Sequence, residues 1–293
     1  MHRLENNDFT VLIDERGAEL VSFRSKRDDT EYIWQADPAI WKRHAPLLFP
    51  VIGRLKNGQY TAGGKAYTIP QHGFGRDLVW MPHRVSDTCA VYTLTQNEQT
   101  KAMYPWDFTC TVRYMLDGAT LIKEHTTRND SDTEMYYELG GHDGYALCLG
   151  AGERLTDHYV AFEGVDTLHP ILADENVMLS QAHGALPLTD GRLYLTRETF
   201  RHDALILDDL PVRRVTVGCV KSSRRVTMDF ADFPYFALWS VYKDFDVPFI
   251  CLEPWSTLPD GGYLDHAIER KVGVRRLAPG GQETLTFRTT VTP

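Results

Sequence analysis

Glu253 is the residue of this chain best suited to acid–base chemistry. It stands in the run PFICLEPWSTLPDGG, directly after the apolar residues Phe249–Leu252 and before Pro254 and Trp255. An apolar strand leading into a loop predicts a partly desolvated carboxyl group, whose pKa burial would raise. A tryptophan beside such a carboxylate is common in sugar sites, although a lone glutamate in a loop more often forms a surface salt bridge. The run therefore predicts either a general base at a sugar site or an ordinary surface carboxylate.

Two histidines and an arginine provide possible partners for this carboxylate. His72 stands in IPQHGFGRD and His142 in ELGGHDG, each next to glycines that allow the backbone to turn sharply. Arg54 follows Gly53 at the end of a long apolar run, and its guanidinium could hold sugar hydroxyls. The alternatives are histidines that only hydrogen-bond their turns and a solvated surface cation.

Composition restricts the class of protein and of partner. The chain has 293 residues, 43% of them hydrophobic and 24% charged, which is ordinary for a globular protein. No linker or compositional shift divides it, so we expect one domain over residues 1–293. The formal net charge of −9 argues against nucleic acid or an anionic membrane surface as partner. We expect a small-molecule partner, and a monomer or a homodimer.

The N-terminus and the cysteines predict a compartment. The first residues, MHRLENNDFTVLIDERG, lack a basic segment followed by an apolar stretch, and no apolar run reaches the length of a membrane span. We therefore expect a cytoplasmic protein. The cysteines are widely spaced and odd in number, without a CxxC pair, so they predict buried thiols and no metal site. They are Cys89, Cys110, Cys148, Cys219 and Cys251.

The periodicity of the chain predicts strands. In FTCTVRYML, Cys110, Val112, Tyr114 and Leu116 share one face of an alternating pattern, which is typical of a strand buried on one side. About fifteen such segments alternate with turn residues, so we expect an all-β fold, a large antiparallel β-sandwich with few short helices. The best candidates for helices are DPAIWKRH and RETFRHDAL.

The order of several motifs resembles the aldose 1-epimerase (galactose mutarotase) family, and most closely its LacX-like branch. The motifs are PLLFPVIGRL, QHGFGRD, ELGGHDG, RHDALIL and the segment from EPW to PD. The resemblance spans nearly the whole chain. It implies a sandwich of the galactose mutarotase type, no metal or organic cofactor, and interconversion of the α and β anomers of a free aldose.

The resemblance also implies a role for each motif residue. Glu253 is the base that takes the proton of the anomeric hydroxyl, and His142 is the acid that protonates the ring oxygen. The residues that bind and position the sugar are His72, Arg54 and Asp203, where Asp208 or Asp209 could take the place of Asp203. Trp255 and Arg76 are further candidates for substrate binding.

The chemistry of ring opening requires this pair of groups. A cyclic hemiacetal opens when its anomeric hydroxyl loses a proton while its ring oxygen gains one, so an acid and a base must act together. The base must be ionised and the acid protonated near neutral pH, which an exposed Glu253 and a cationic His142 could satisfy with modest shifts of their pKa values. One departure from the family is Asp143, which stands where proline is usual. Its carboxylate either raises the pKa of His142 or points to solvent.

Other functions remain open from the sequence. A hexose-6-phosphate 1-epimerase would clamp a phosphate with cations such as Arg76, Arg43 and Lys42, whereas Arg76 could equally pair with Asp77. A non-catalytic sugar-binding or sensor protein on the same fold is a second alternative. A glycoside hydrolase would need a second carboxylate, for which Asp203 and Asp260 are weak candidates.

The remaining aromatic and histidine residues fit structural roles. We expect four tryptophans to be core residues, namely Trp41, Trp80, Trp106 and Trp239. The other histidines share no spacing, and we expect them at the surface or at strand edges; they include His44, His83, His125, His158, His169, His183 and His266.

Overall fold

The computed structural model describes residues 1–147, 152–174 and 178–292. It is mostly β, with 47% of residues in strands and 8% in helices. The prediction of an all-β fold with few short helices is confirmed. One α-helix, α1, spans Glu98–Met103, and short 3₁₀ turns span Lys56–Gly58, Gly75–Asp77, Leu155–Asp157, Arg197–Phe200 and Ile268–Arg270.

The strands follow one another along the whole chain, most of them joined by short turns. In chain order they are β1 (His2–Glu5), β2 (Phe9–Ile13), β3 (Leu20–Ser25), β4 (Leu47–Leu48), β5 (Gln59–Ala62), β6 (Lys65–Thr68), β7 (Met81–Arg84), β8 (Cys89–Thr95), β9 (Phe108–Asp117), β10 (Thr120–Asn129), β11 (Met135–Tyr137), β12 (Gly140–Gly141), β13 (Asp143–Ala146), β14 (His158–Ala161), β15 (Thr167–Leu168), β16 (Ile171–Ala173), β17 (Leu179–His183), β18 (Leu186–Pro187), β19 (Arg192–Tyr194), β20 (Leu205–Leu207), β21 (Arg214–Cys219), β22 (Arg225–Asp229), β23 (Tyr235–Trp239), β24 (Phe249–Trp255), β25 (Arg275–Leu277) and β26 (Gln282–Thr292).

Two large antiparallel sheets form the sandwich. A nine-stranded sheet has the order β19-β14-β21-β22-β26-β10-β9-β8-β7. An eight-stranded sheet has the order β17-β16-β20-β23-β24-β12-β4, and β13 also pairs with β24. Smaller sheets are formed by β1-β2-β3, β5-β6, β11-β25 and β15-β18. The central strand of the second sheet, β24, is buried along its whole length.

The core lies between the two large sheets. Inward-facing residues of β9, β10, β22 and β26 pack with those of β23 and β24 in one cluster of buried apolar side chains. The sheets approach closely near Gly141 of β12, where a Cβ atom would lie 2.8 Å from Phe287 of β26. This contact fixes how β12 and its neighbour β24 sit over the other sheet.

The alternating pattern is confirmed in detail in β9. Cys110, Val112, Tyr114 and Leu116 are all buried, and the residues between them are exposed or half-buried. This is the expected result for a strand that faces the core on one side.

The helix predictions were less accurate. DPAIWKRH forms only a turn closed by hydrogen bonds to the carbonyl oxygen of Asp37, and RETFRHDAL forms a 3₁₀ turn over Arg197–Phe200. The observed helix α1 begins instead at a capping box made by Asn97 and Thr100. Its six residues are too few to show helical periodicity in the sequence.

The cysteine prediction holds where it is tested. Cys89, Cys110, Cys219 and Cys251 are free and buried, and Cys148 lies outside the described residues. Within the ranges that the structure describes, none of the helical segments combines the length and the apolar character that crossing a membrane requires.

Candidate active site

The predicted site residues line one cleft on the outer face of the eight-stranded sheet. The cleft has a volume of about 380 Å³. This lies in the usual range for small-molecule sites. Its lining includes the seven residues that the resemblance implied for the sugar site, namely Arg54, His72, Arg76, His142, Asp203, Glu253 and Trp255, whereas the alternatives Lys42, Arg43, Asp208 and Asp209 are not part of it. Residues that are distant in sequence thus meet around one cavity that is large enough for a small molecule.

Glu253 and His142 form the floor of the cleft. Glu253 lies within β24 rather than in the loop after it, and only 1% of its surface is exposed. Gly140 is paired with Trp255 and Asp143 with Leu252, and this common register places His142 opposite Glu253. The Nε2 atom of His142 lies 3.4 Å from the Oε2 atom of Glu253. The acid and the base of the hypothesis are therefore cross-strand neighbours.

Burial sets the charge of both groups. It raises the pKa of the Glu253 carboxyl well above its ordinary value, and the nearby carboxylate of Asp203 adds to this rise. Burial also lowers the pKa of the His142 imidazole to about 3, and the Arg76 cation acts in the same direction. The expectation of an exposed glutamate and a cationic histidine is wrong, because the site favours the uncharged form of each.

Two tryptophans that the sequence assigned to the core form walls of the cleft. Trp41 stacks on His142 with ring centroids 5.1 Å apart, and Trp239 meets the same imidazole edge-on at 5.5 Å. Trp41 reaches this position because it crosses Gly144, where a Cβ atom would lie 2.9 Å from its ring. Trp80 and Trp106 are buried as expected. Gly144 lies two residues after His142 on the same strand face, and only the tertiary structure shows that Trp41 fills the space above it.

His72 is held by a pair of reciprocal hydrogen bonds with Gly53. The Gly53 N–H donates to His72 Nδ1 at 3.1 Å, and the His72 N–H donates to the Gly53 carbonyl at 2.9 Å. Because Nδ1 accepts a hydrogen bond, a neutral ring must carry its proton on Nε2. Burial lowers the pKa of His72 well below its usual value, with His142 and nearby arginines contributing. His72 is therefore a neutral ring whose Nε2 lies 3.3 Å from the side-chain amide nitrogen of Gln71.

The turn that carries His72 depends on the glycine after it. His72 and Gly73 both have positive φ, of 63° and 70°. A Cβ atom on Gly73 would lie 2.2 Å from the carbonyl oxygen of Phe49. A non-glycine residue with positive φ, such as His72, is uncommon and is often found at functional sites.

Arg54 is the exposed cation at the edge of the cleft. Its Nε donates to Gln71 Oε1 at 3.4 Å, and its carbonyl accepts from the Asp260 N–H at 3.3 Å. Gln71, which the sequence reasoning did not nominate, lines the cleft beside it. Asp260 is buried under this loop, where its Oδ2 accepts from the Lys56 N–H at 2.9 Å. Asp260 thus holds the loop, which argues against a role as a second catalytic carboxylate.

Asp203 lies across the cleft with a strained backbone. Its φ is 81°, and its Oδ1 accepts a hydrogen bond of 2.8 Å from Trp239 Nε1. The competing Asp208 is bound to His183, 2.8 Å away, and it does not line the cleft. Trp255 lies two residues after Glu253 on the same strand face, buried at the other side of the floor.

Arg76 and Arg43 bring positive charge to one end of the cleft. Asp77 pairs with Arg43 at 2.8 Å, while its distance to the Nε of Arg76 is 3.9 Å. Arg76 donates instead to the Gln71 carbonyl at 2.7 Å, and its buried Nε has no hydrogen-bond partner among the described residues. Burial and the neighbouring Arg43 lower the pKa of Arg76 to about 10. The salt bridge to Asp77 is therefore the weaker of the contacts that Arg76 makes.

Asp143 follows neither of the two expectations. Its side chain is on the core face of β13, buried, and its Oδ2 lies 2.5 Å from Nζ of Lys123 on β10 of the other sheet. Tyr145 also donates to this carboxylate at 3.1 Å. Since successive residues of a strand point to opposite faces, His142 faces the cleft while Asp143 faces the core.

A thiol lies beside the proposed acid and base at the floor of the cleft. Donor atoms of His142, Cys251 and Glu253 lie within 4.8 Å of one another. Burial raises the pKa of the Cys251 thiol and of the Glu253 carboxyl well above their ordinary values. Both groups therefore favour their protonated forms.

Comparison with known proteins agrees with the fold and the motifs. Residues 1–265 match the family model for aldose 1-epimerase. The chain is 31% identical over 284 residues to the chromosomal protein LacX of Lactococcus lactis subsp. lactis, covering 94% of each chain.

Solved structures of two proteins from lactobacilli are similar to this chain over its full length. A galactose mutarotase related enzyme from Lactobacillus acidophilus has 34% identity and a TM-score of 0.94, over 100% of this chain and 97% of that one. A galactose mutarotase-like protein from Lactobacillus casei has 31% identity and a TM-score of 0.91, over 100% of both chains. The chain belongs to the aldose 1-epimerase family.

Proposed function

We propose that this chain is a mutarotase, an isomerase that interconverts the α and β anomers of a free aldose by acid–base ring opening. The observation that carries the proposal is the pair of Glu253 and His142, 3.4 Å apart at the floor of a cleft of about 380 Å³. A sugar sensor needs hydrogen-bonding groups and aromatic walls, but it has no need of a buried acid and base side by side.

The protonation of Glu253 and His142 suits the interconversion of anomers, a reaction with no net uptake or release of protons. Because burial raises the pKa of Glu253 and lowers that of His142, we propose that the pair carries a single proton when the sugar binds. One group can then donate while the other accepts. In the proposed direction, Glu253 takes the anomeric proton and His142 protonates the ring oxygen, so the shared proton passes to His142 as the sugar binds. Ring closure on the opposite face runs both transfers in reverse.

The other residues of the cleft hold the sugar. Arg54, Gln71 and Asp203 provide donors and acceptors at the rim for hydroxyl groups, and the neutral His72 lines the wall. Trp41, Trp239 and Trp255 supply apolar faces against which a pyranose ring can pack. Fixed groups of this kind bring the two reacting oxygens into register with the acid and the base.

Polarimetry on a freshly dissolved pure anomer tests the proposal. The parent chain should accelerate equilibration of α-glucose, α-galactose or α-xylose, and Glu253→Gln or His142→Asn should lower kcat by about 100- to 10,000-fold. Glu163→Gln and His169→Asn change the same residue types on exposed positions and serve as controls. Binding of the sugar without any acceleration by the parent would show a sugar-binding protein instead.

A hexose-6-phosphate is the second candidate substrate, favoured by the cations at one end of the cleft. Arg76 keeps an unpaired, buried Nε and lies near Arg43 and Arg54 around His72. Guanidinium groups match the geometry of a phosphate. Comparing each sugar with its 6-phosphate decides between the two. Arg76→Gln should raise KM at least tenfold for a phosphorylated substrate and little for a free sugar.

A further inference from the structure

A second cluster of ligand-type side chains lies at the edge of the sandwich, outside the cleft. It consists of Glu153, His158 and Cys219, whose donor atoms all lie within 4.8 Å of one another. The Nε2 atom of His158 lies 3.3 Å from Oε2 of Glu153. None of these residues lines the sugar cleft. The sequence predicted His158 at the surface or at a strand edge; it begins a strand and is only 3% exposed.

The backbone fixes two of these side chains. His158 begins β14 and Cys219 ends β21, and the two residues are paired directly in the antiparallel ladder. Paired residues point to the same face of a sheet with their Cβ atoms about 5 Å apart. The imidazole and the thiol are therefore held together by the hydrogen bonds of the nine-stranded sheet, and both are buried.

The hydrogen bonding of His158 leaves its Nε2 free to act as a ligand. Its Nδ1 lies 3.0 Å from the carbonyl oxygen of Arg154, which can only accept, so Nδ1 carries the proton. In the neutral ring, the lone pair of Nε2 then faces the Glu153 carboxylate. Oε2 of Glu153 is buried and has no hydrogen-bond partner among the described residues. Two electron-rich atoms in this position require either a proton, carried by His158 or by Glu153, or a metal ion between them.

The surroundings of Cys219 suit a thiolate ligand. Its Sγ accepts a hydrogen bond of 3.4 Å from the Lys221 N–H. The cations nearby are directed elsewhere, because Lys221 Nζ lies 2.7 Å from Asp157 and Arg225 donates to the carbonyls of Cys219, Ser222 and Arg224. A thiolate, a carboxylate and a neutral imidazole together carry two negative charges.

We propose that Glu153, His158 and Cys219 bind a divalent transition-metal ion of the zinc type. One nitrogen, one sulfur and one oxygen ligand form a set that zinc accepts, with a fourth position left for water. A backbone carbonyl on the remaining ring nitrogen is the usual outer partner of a metal-bound histidine. The cavity beside the three side chains measures about 20 Å³, and Leu147, Val217 and Val226 line its apolar side. Bound here, the ion fastens the segment before β14 to the edge of the sandwich.

Cobalt(II) titration of the chelator-treated, full-length protein tests the site. A thiolate ligand gives cobalt an intense near-ultraviolet charge-transfer band, which zinc should abolish by displacing cobalt. Cys219→Ser should remove the band. His158→Gln and Glu153→Gln should weaken cobalt affinity by at least about tenfold, the lower end of what loss of an outer partner alone costs. Zinc should also raise the unfolding temperature of the parent and leave that of Cys219→Ser unchanged.

The matched control is Cys251→Ser, which alters the cluster of the cleft floor and should keep the band. A band that survives Cys219→Ser, or that disappears in Cys251→Ser, would overturn the proposal, as would the absence of a band in the parent. If Cys219→Ser fails to fold, Glu153→Gln still decides, since Glu153 is partly exposed and its amide keeps the shape of the side chain. Unchanged cobalt affinity in a folded Glu153→Gln variant would overturn the proposal. Glu153 and His158 would then form only a charged pair.

Discussion

His142 and Glu253 lie opposite each other on neighbouring antiparallel strands, with Nε2 and Oε2 separated by 3.4 Å. The pairs on either side of them, Gly140 with Trp255 and Asp143 with Leu252, hold this register. The geometry of the proposed acid and base is therefore set by the hydrogen bonds of a buried sheet rather than by loops. Sites built on strands are more precisely held than sites built on loops.

The first prediction concerns the pH dependence of catalysis. Burial lowers the pKa of His142 to about 3 and raises that of Glu253 well above its ordinary value, and both shifts favour a pair that carries one proton. We expect kcat/KM for mutarotation to change less than about twofold between pH 5.5 and 7.5, the range where an unperturbed histidine would titrate. At higher pH the rate should fall as the pair loses its proton. A rate that declines steadily through about pH 6.5 would show a cationic His142 with an ordinary pKa.

The second prediction is that Glu253→Gln makes the protein more stable while inactivating it. The folded-state pKa of Glu253 lies above the ordinary value of 4.5. Its contribution to stability is thus complete below pH 4.5 and is lost as the pH rises towards the folded-state pKa. Glutamine does not titrate. The variant should gain about 0.5–2 kcal/mol in the free energy of unfolding at pH 8, and less at pH 5.

Urea denaturation at both pH values measures this gain. Glu163→Gln, at an exposed position, should show no such dependence on pH. A Glu253→Gln variant that is less stable than the parent at pH 8 would mean that the folded protein stabilises the carboxylate.

The third prediction is that Trp239 contributes to sugar binding and not to the acid–base step. Trp239→Phe keeps an aromatic ring beside His142 but removes the N–H that donates to Asp203 Oδ1 at 2.8 Å. A hydrogen bond of about 1 kcal/mol that positions Asp203 corresponds to a rise of about fivefold in KM, with kcat nearly unchanged. Trp106→Phe, which lies outside the cleft, is the control. A fall in kcat without a rise in KM would instead place Trp239 in the acid–base step.

The fourth prediction concerns the ion pair between the sheets. Lys123 and Asp143 are both buried, and their charged atoms lie 2.5 Å apart. Asp143→Asn leaves the Lys123 ammonium without a countercharge, which should cost about 3–5 kcal/mol in the free energy of unfolding. The double variant Lys123→Met with Asp143→Leu should recover most of this loss, because an apolar pair of similar size needs no countercharge.

Denaturant unfolding of Lys123→Met, of Asp143→Leu and of their combination forms a complete cycle, and Asp143→Asn is measured beside it. A cost below about 0.5 kcal/mol for Asp143→Asn would contradict a buried charged pair, since changes of that size are typical of exposed positions.

The sequence was sufficient for the class of fold and for several of the residues that line the cleft. Alternation such as that of Cys110, Val112, Tyr114 and Leu116 is a local property, and it was confirmed residue by residue in β9. The motif residues from Arg54 to Glu253 also line one cleft. Local spacing carries this information because each motif places its side chain at the end or on the face of a strand.

The sequence did not predict the protonation states of the buried groups or the contacts between side chains of different strands and sheets. Glu253 was expected to be ionised and His142 to be cationic, but burial by strands distant in sequence reverses the preference of each. Trp41 was assigned to the core, since nothing local shows that Gly144 leaves room for it to stack on His142.

Asp143 shows most clearly what the tertiary structure decides. From the sequence, the Asp143 carboxylate was expected either to raise the pKa of His142 or to point to solvent. Instead it contacts Lys123, which lies 20 residues earlier in the chain and on the opposite sheet. A sequence states which residue types are present and with what period they alternate. Which buried group faces which depends on strand register and on the packing of two sheets, and these are fixed only when the whole core assembles.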